Sequence, residues 1–248
     1  MIKIINLTKR FGNLIAVDDI SLDIPKGSIF AFLGTNGAGK TTTIKMMTGV
    51  LQPTNGTVQI GGYDILTHPI EAKFLMGVIP DRPYLYGKLT GREFLVFMAD
   101  LYKVHHKEAK KRIDMLLELY GLQQCQYDLI DGYSHGMKQR LLMCAAQVHN
   151  PPILIVDEPM VGLDPRGAKL FKENLKQRAK EGLTIFMSTH SLSVAEEVSD
   201  YLAIIRQGKI IAQGSLTDIY AKAKVGMTNL ENVFLDILDE ADGADGTV

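Results

Sequence analysis

The chain has only two cysteines among its 248 residues, Cys125 and Cys144, and neither belongs to a C-x-x-C pair. Neither a disulfide framework nor a zinc knuckle is therefore implied. Of the six histidines, His105 and His106 are adjacent, and neighbouring positions do not share a helix face. No metal site built from protein ligands alone is expected. Net charge is scarce as well: the formal value of −1 gives no electrostatic reason to expect nucleic acid or an anionic lipid surface. No apolar run is long enough to span a bilayer, and the opening "MIKIINLTKRFG" lacks the apolar stretch of a secretion signal. Any role at a membrane would run through a partner. Internal repeats, low-complexity blocks and flexible linkers are all missing. We expect one folded unit over residues 1–248, with a helical subdomain at roughly 81–148 and a helical tail at roughly 229–240.

What is present is ordinary globular material, 46% hydrophobic and 22% charged, in a chain long enough to bury a large core. Short β-branched runs alternate with helical patterns, which is the signature of α/β architecture. "IKIINL" and "LIAVDDISLDI" alternate apolar with polar residues, as half-buried antiparallel strands do. "GSIFAFLG" is continuously apolar, like a buried central strand, and residues 40–49 read as a helix. "PTNGT" predicts a turn at its Asn-Gly dipeptide, before the strand "TVQIGG". From Pro80 to Val148 the pattern is helical, with "GREFLVFMADLYKV" and "EAKKRIDMLLELYGL" both amphipathic. In the first of these, Phe94, Phe97, Met98 and Leu101 share helical spacing and are expected in the core. Strand and helix then alternate again through "PILIVD", a helix near 166–180, "LTIFMS", a helix near 192–199, and a hairpin turning at Gln207-Gly208. "NLENVFLDILDE" closes the chain as a short amphipathic helix before a frayed "ADGADGTV" end.

"GTNGAGKT", Gly34 to Thr41, fits G-x-x-x-x-G-K-[ST] between a strand and a helix. Gly37 and Gly39 let the backbone wrap closely around phosphate oxygens, and the helix dipole adds attraction. Lys40 can set a positive charge between the β- and γ-phosphates, and the Thr41 hydroxyl can ligate Mg²⁺. The expected ATP contacts are Gly34, Thr35, Asn36, Gly37, Ala38, Gly39, Lys40, Thr41 and Thr42. A carboxylate at the end of a buried strand should complete the magnesium shell, and "ILIVDEP" supplies Asp157 for that purpose. Glu158, one residue on, is placed to polarise an attacking water as a general base.

A second stretch, "YSHGMKQR" from Tyr133 to Arg140, offers a serine cap, a glycine and free backbone N–H groups before a helix. That combination also suits an anion, although the phosphate loop lies about a hundred residues earlier in the chain.

In order, these motifs resemble the nucleotide-binding subunit of ATP-binding cassette transporters, over nearly the whole chain from "LTKRFG" to "VFLDIL". The resemblance implies a P-loop NTPase core with an antiparallel β subdomain and an inserted helical subdomain. Phe11 matches the aromatic position that stacks on adenine, usually a tyrosine. Asp164 in "GLDP" matches the loop that crosses a dimer interface. His190 in "STH" matches the switch histidine that contacts the γ-phosphate. Ser134, His135, Gly136 and Met137 match the signature that completes the ATP site of a second subunit. That signature departs from the common form at Tyr133, His135 and Met137, and its "Y-S-x-G-M" resembles the ABC-2-type exporter branch. Asp81 stands where the family usually has a glutamine near Mg²⁺, and aspartate is shorter and anionic. Tyr84, Leu85 and Tyr86 follow it, where the family receives a short helix from its membrane subunit.

The implied activity is ATP hydrolysis with Mg²⁺, in a homo- or heterodimer on separate integral membrane permease subunits, at the cytoplasmic face of a membrane. Two other classes compete: a soluble cassette ATPase of assembly or repair type, and a non-catalytic nucleotide sensor. The short insert argues against the first, and Lys40, Asp157, Glu158 and His190 argue against the second.

Overall fold

The computed structural model describes residues 1–81, 84–160, 163–222 and 230–245. Arg82 and Pro83 in the docking stretch, Gly162 of "GLDP" and Asn229 at the head of the tail lie outside them. The chain starts with β1 (Ile2–Phe11) and β2 (Leu14–Ile24), an antiparallel pair. Next come β3 (Ile29–Leu33) and α1 (Lys40–Met47), then β4 (Asn55–Ile60) and the two-residue β5 (Tyr63–Asp64). A short α2 (Pro69–Phe74) leads to β6 (Met76–Ile79). Three helices follow: α3 (Gly91–Leu101), α4 (His106–Leu119) and α5 (His135–Gln147). Alternation resumes with β7 (Ile153–Asp157), α6 (Pro165–Lys180), β8 (Thr184–Thr189) and α7 (Leu192–Val198). The hairpin β9 (Tyr201–Arg206) and β10 (Lys209–Ser215) precedes α8 (Leu216–Lys222) and α9 (Leu230–Asp245).

One sheet has the order β2-β1-β4-β5, and the other β10-β9-β3-β8-β7-β6. In the second, β9, β3, β8, β7 and β6 all run parallel, so the loops after β3, β8, β7 and β6 emerge side by side along one edge. Such an edge is where open α/β sheets bind ligands. Every residue of β3, β7 and β8 is buried, as a central strand covered on both faces requires. The pleat then divides β7 cleanly. Ile153 and Ile155 pack with α1 and the antiparallel sheet, while Leu154 and Val156 pack with α6 and the three-helix insert.

Several expectations fail in instructive ways. Asn55 and Gly56 lie inside β4 and make no turn. The pairing of β1 with β4 shifts register between Ile5 and Thr8, and a Cβ on Gly56 would sit 2.2 Å from the Asn6 carbonyl oxygen. Gly56, at φ 79°, is therefore the residue of a bulge, where two backbones approach closely. Phe97 and Leu101 are not core residues: both are exposed, and Phe94, Leu95 and Ala99 form the buried stripe of α3. The tail helix does not fray after residue 240 but continues to Asp245. The hairpin, by contrast, turns at Gln207-Gly208 as expected, with φ of 48° and 82°, the two positive values of a type I′ turn.

Candidate nucleotide site

The edge of the parallel sheet gathers the predicted chemistry. After β3 the chain winds through residues 34–39 into α1, whose N-cap is Gly39 at φ 112° with no side-chain cap. A Cβ there would sit 2.6 Å from the Ala16 carbonyl oxygen, so only glycine allows the loop to pass this close to β2. The first N–H groups of α1 have no partner within the helix and no capping side chain, which leaves them available to an anion. Thr35, Asn36, Gly37, Gly39, Lys40, Thr41 and Thr42 line a cleft of about 330 Å³ with Phe11, Asp81 and Glu158. Ala38 is buried beneath it.

Within the cleft, Lys40 is only 6% exposed, and its Nζ donates to the carbonyl oxygens of Gly34 at 2.7 Å and Thr35 at 3.2 Å. It also lies 3.3 Å from Glu158 Oε1, while the other carboxylate oxygen, Oε2, is 2.9 Å from His190 Nδ1. Glu158 thus bridges the phosphate-loop lysine and the histidine at the end of β8. Its backbone has φ 49°, a strained value for a non-glycine residue of the kind that concentrates at functional sites. The Glu158 N–H donates to the Ser188 carbonyl at 3.3 Å and to Ser188 Oγ at 3.2 Å, which holds the turn in place.

Asp157 is 3% exposed and accepts a hydrogen bond from Ser188 Oγ at 2.5 Å. Burial pushes its carboxyl above the usual carboxylate range; hydrogen bonds from Ser188 and Thr41 pull it back, and the negative charges of Asp81 and Glu158 push it up again. Asp157, Asp81 and Glu158 beside the Thr41 hydroxyl form a hard-oxygen environment whose negative charge Lys40 offsets only in part. That set suits Mg²⁺, which is usually held by one or two carboxylates together with substrate phosphates. Among the described residues no cluster of three His, Cys, Asp or Glu ligands could hold a metal alone, so the fit is to a metal shared with a phosphate.

The structure brings Phe11 to the mouth of the cleft, 48% exposed, with Lys9 Nζ 5.2 Å from its ring centre. Leu14 and Ala16 of β2 complete that wall. Reading the sequence missed both, because small and aliphatic residues in a strand carry no chemical label. Ser188 was missed too, although it lies two residues before His190 and pairs in register with Asp157. The predicted signature is not part of this cleft. Ser134 caps α5, its Oγ accepting from the Met137 N–H at 3.2 Å, and both Ser134 and His135 are exposed. Gly136 and Met137 are half-buried, and Tyr133 is buried, its hydroxyl donating to the Cys125 carbonyl at 2.6 Å. Asp164 is also exposed and caps α6, accepting from the Gly167 N–H at 2.7 Å. Among the described residues, no helix is long and apolar enough to cross a membrane.

Comparison with known proteins bears on this arrangement. Residues 17–161 match the family described as ABC transporter. The chain is 39% identical to the linearmycin resistance ATP-binding protein LnrL of Bacillus subtilis (strain 168), over 90% of this chain and 71% of that protein. It is 41% identical to the bacitracin transport ATP-binding protein BcrA of Bacillus licheniformis, over 86% of this chain and 69% of that protein. A solved ATP-binding subunit of an ABC transporter superposes with a TM-score of 0.91 at 30% identity, covering 96% of this chain and 99% of that one. A dimeric bacterial ABC transporter cassette, MJ0796, gives 0.78 at 25% identity, with coverage of 87% and 99%.

Proposed function

The chain belongs to the ABC transporter family as an ATP-binding, ATP-hydrolysing subunit, and from that premise we propose how its residues divide the work. The cleft over α1 binds the triphosphate: the loop N–H groups and Lys40 take the phosphates, and Phe11 stacks on the base. Glu158 accepts the proton of the attacking water, and His190 holds Glu158 and the γ-phosphate in register. Thr41 and Asp157 would hold Mg²⁺, with Asp81 facing it from the neighbouring strand end. When bound, the ion offsets the negative charge of the phosphates. The observation that carries this reading is the Lys40–Glu158–His190 chain, with contacts of 3.3 Å and 2.9 Å. It joins a phosphate binder, a base and a switch residue from three adjacent strand ends.

Ser134, His135, Gly136 and Met137 serve a second molecule. They lie outside their own cleft, and their exposed helix end supports a head-to-tail pair in which each signature closes the other's ATP site. Asp164 sits on the same interface. The pair drives separate integral membrane subunits at the cytoplasmic face of a membrane, and nucleic acid has no part in it. Tyr84 is 88% exposed, and Tyr86, 54% exposed, meets Phe97 edge-on at 5.8 Å. This aromatic patch supports docking of the membrane partner. Export is the direction favoured by the "Y-S-x-G-M" signature and by the names of the bacitracin and linearmycin relatives. We further infer that residues 1–248 act as one cassette, with 81–148 as its helical subdomain.

The test is complementation. Ser134→Arg should block the signature and leave its own phosphate loop intact, and Lys40→Ala should do the reverse. In a Glu158→Gln background that stops turnover, neither variant alone should form an ATP-dependent dimer on sizing. Their mixture should, because one of its two sites keeps both Lys40 and Ser134. A parent that dimerises beside a mixture that stays monomeric would refute the shared site.

A further inference from the structure

Gln139 is 0% exposed, yet neither its amide nitrogen nor its amide oxygen has a hydrogen-bond partner. A buried primary amide can make up to four hydrogen bonds, and leaving all of them unmade is destabilising. The residue sits on α5, one turn after the Ser134 cap, where nothing in the nucleotide cleft uses it.

Its place in the fold says what it could meet. At Gly77 of β6, an added Cβ would be 2.0 Å from the Ala146 carbonyl oxygen, so α5 lies directly against β6 at that level. The chain passes from α5 to β7 in a few residues, and β7 is parallel to β6; α5 therefore runs antiparallel to both. Gln139 is seven residues before Ala146, on the same helix face and about 10.5 Å further along at 1.5 Å per residue. On β6 the same distance covers about three residues at 3.3 Å each. The side chain of Gln139, which leans toward the helix N-terminus, is thus level with Pro80 and Asp81. Asp81 borders the nucleotide cleft.

We propose that Gln139 is a positioning residue whose amide pairs with the Pro80–Asp81 strand end only in the ATP-bound dimer. It would link the signature helix to the edge of the nucleotide site. The unmade bonds burden the free monomer, so making them favours the ATP-bound dimer. The inference rests on the ATP-dependent dimer proposed above.

Gln139→Met keeps the length of the side chain and removes its polar atoms. In the Glu158→Gln background, the nucleotide-free chain should melt roughly 2–5 °C higher than its parent, because an unsatisfied buried amide is gone. Dimerisation on sizing should need about tenfold more ATP, while ATP binding to the monomer stays at the parental affinity. A merely structural glutamine predicts a lower melting point instead. A midpoint that is not raised, or an ATP requirement that is not raised, overturns the proposal. If the Met variant does not accumulate, Gln139→Leu is measured; loss of folding in both means the amide is needed without nucleotide, which also overturns it. If the parent itself does not dimerise with ATP, the proposed function fails first, and this inference falls with it.

Discussion

Two helices of this chain start at positions suited to a phosphate, and they treat their first turns differently. α1 starts from Gly39, which has no side chain to cap it, beside a buried lysine held by two carbonyl oxygens and a carboxylate. α5 starts from Ser134, whose hydroxyl oxygen already accepts from the Met137 N–H. The α1 end is organised by groups from four strand ends and leaves its first-turn N–H groups without a side-chain cap. The α5 end has one N–H, that of Met137, capped by the Ser134 side chain, and stands in the open. On the function proposed above, the end that holds its own ligand is left uncapped and surrounded, and the end that meets a ligand carried by a second molecule keeps a local cap.

The strongest way to break this contrast is at the base. Glu158→Gln keeps the shape, but its single carbonyl oxygen can accept from only one of Lys40 and His190, and it no longer takes up a proton. Steady-state ATP hydrolysis should fall by about 10²- to 10⁴-fold, the usual worth of a general base, with nucleotide binding retained. Wild-type turnover in this variant would remove Glu158 from catalysis and leave it as a structural bridge.

Next in size is Lys40→Ala. The charge-assisted phosphate contact it removes is worth about 1.5–3 kcal/mol, or roughly 10- to 150-fold in ATP affinity. Titration calorimetry of the monomer reads this directly. Unchanged affinity would mean that the loop N–H groups suffice and that Lys40 serves the apo carboxylate alone. Together the two variants separate holding ATP from cleaving it within the α1 site.

How much of this was legible in the sequence follows from what each feature needs. That the phosphate loop and "DEP" would meet at one cleft could be read because phosphate chemistry calls for given residue types at the ends of buried strands. His190, by contrast, is singled out only by the family resemblance. Ser188 could not be read, since its role depends on the β7–β8 register that sets it opposite Asp157. Asn55-Gly56 has the composition of a turn, but it is a bulge because Asn6 on the facing strand, at φ 46°, also departs from extended geometry. On α3, periodicity correctly showed an apolar helix but misplaced its buried face by about one residue, 100° of rotation. Phe97 and Leu101 carry the same label as Phe94 although nothing in the described chain covers them fully. Hydrophobicity records what a side chain prefers, and only packing records what it receives.

The smallest effect tests the α5 end. A hydroxyl has one donor and two acceptor lone pairs, so capping the Met137 N–H leaves the Ser134 hydrogen free for a phosphate. Ser134→Ala removes both functions. It should cost about 1 kcal/mol of monomer stability through the lost cap, a shift of roughly 2–4 °C in melting temperature for a chain of this size. Ser134→Asp separates the two functions: aspartate is as good a cap and its charge suits a helix N-terminus, so the monomer should melt within a degree or so of the parent. Facing the γ-phosphate of a second molecule, however, the carboxylate meets like charge and has no proton to donate. In the Glu158→Gln background, Ser134→Asp should therefore lose the ATP-dependent dimer while keeping its thermal midpoint, and Ser134→Ala should weaken both. Calorimetric melting and sizing with ATP, run on the same samples, distinguish the cases. A Ser134→Asp chain that still dimerises would show that the hydroxyl serves only the helix it caps, and α5 would then be an ordinary capped helix.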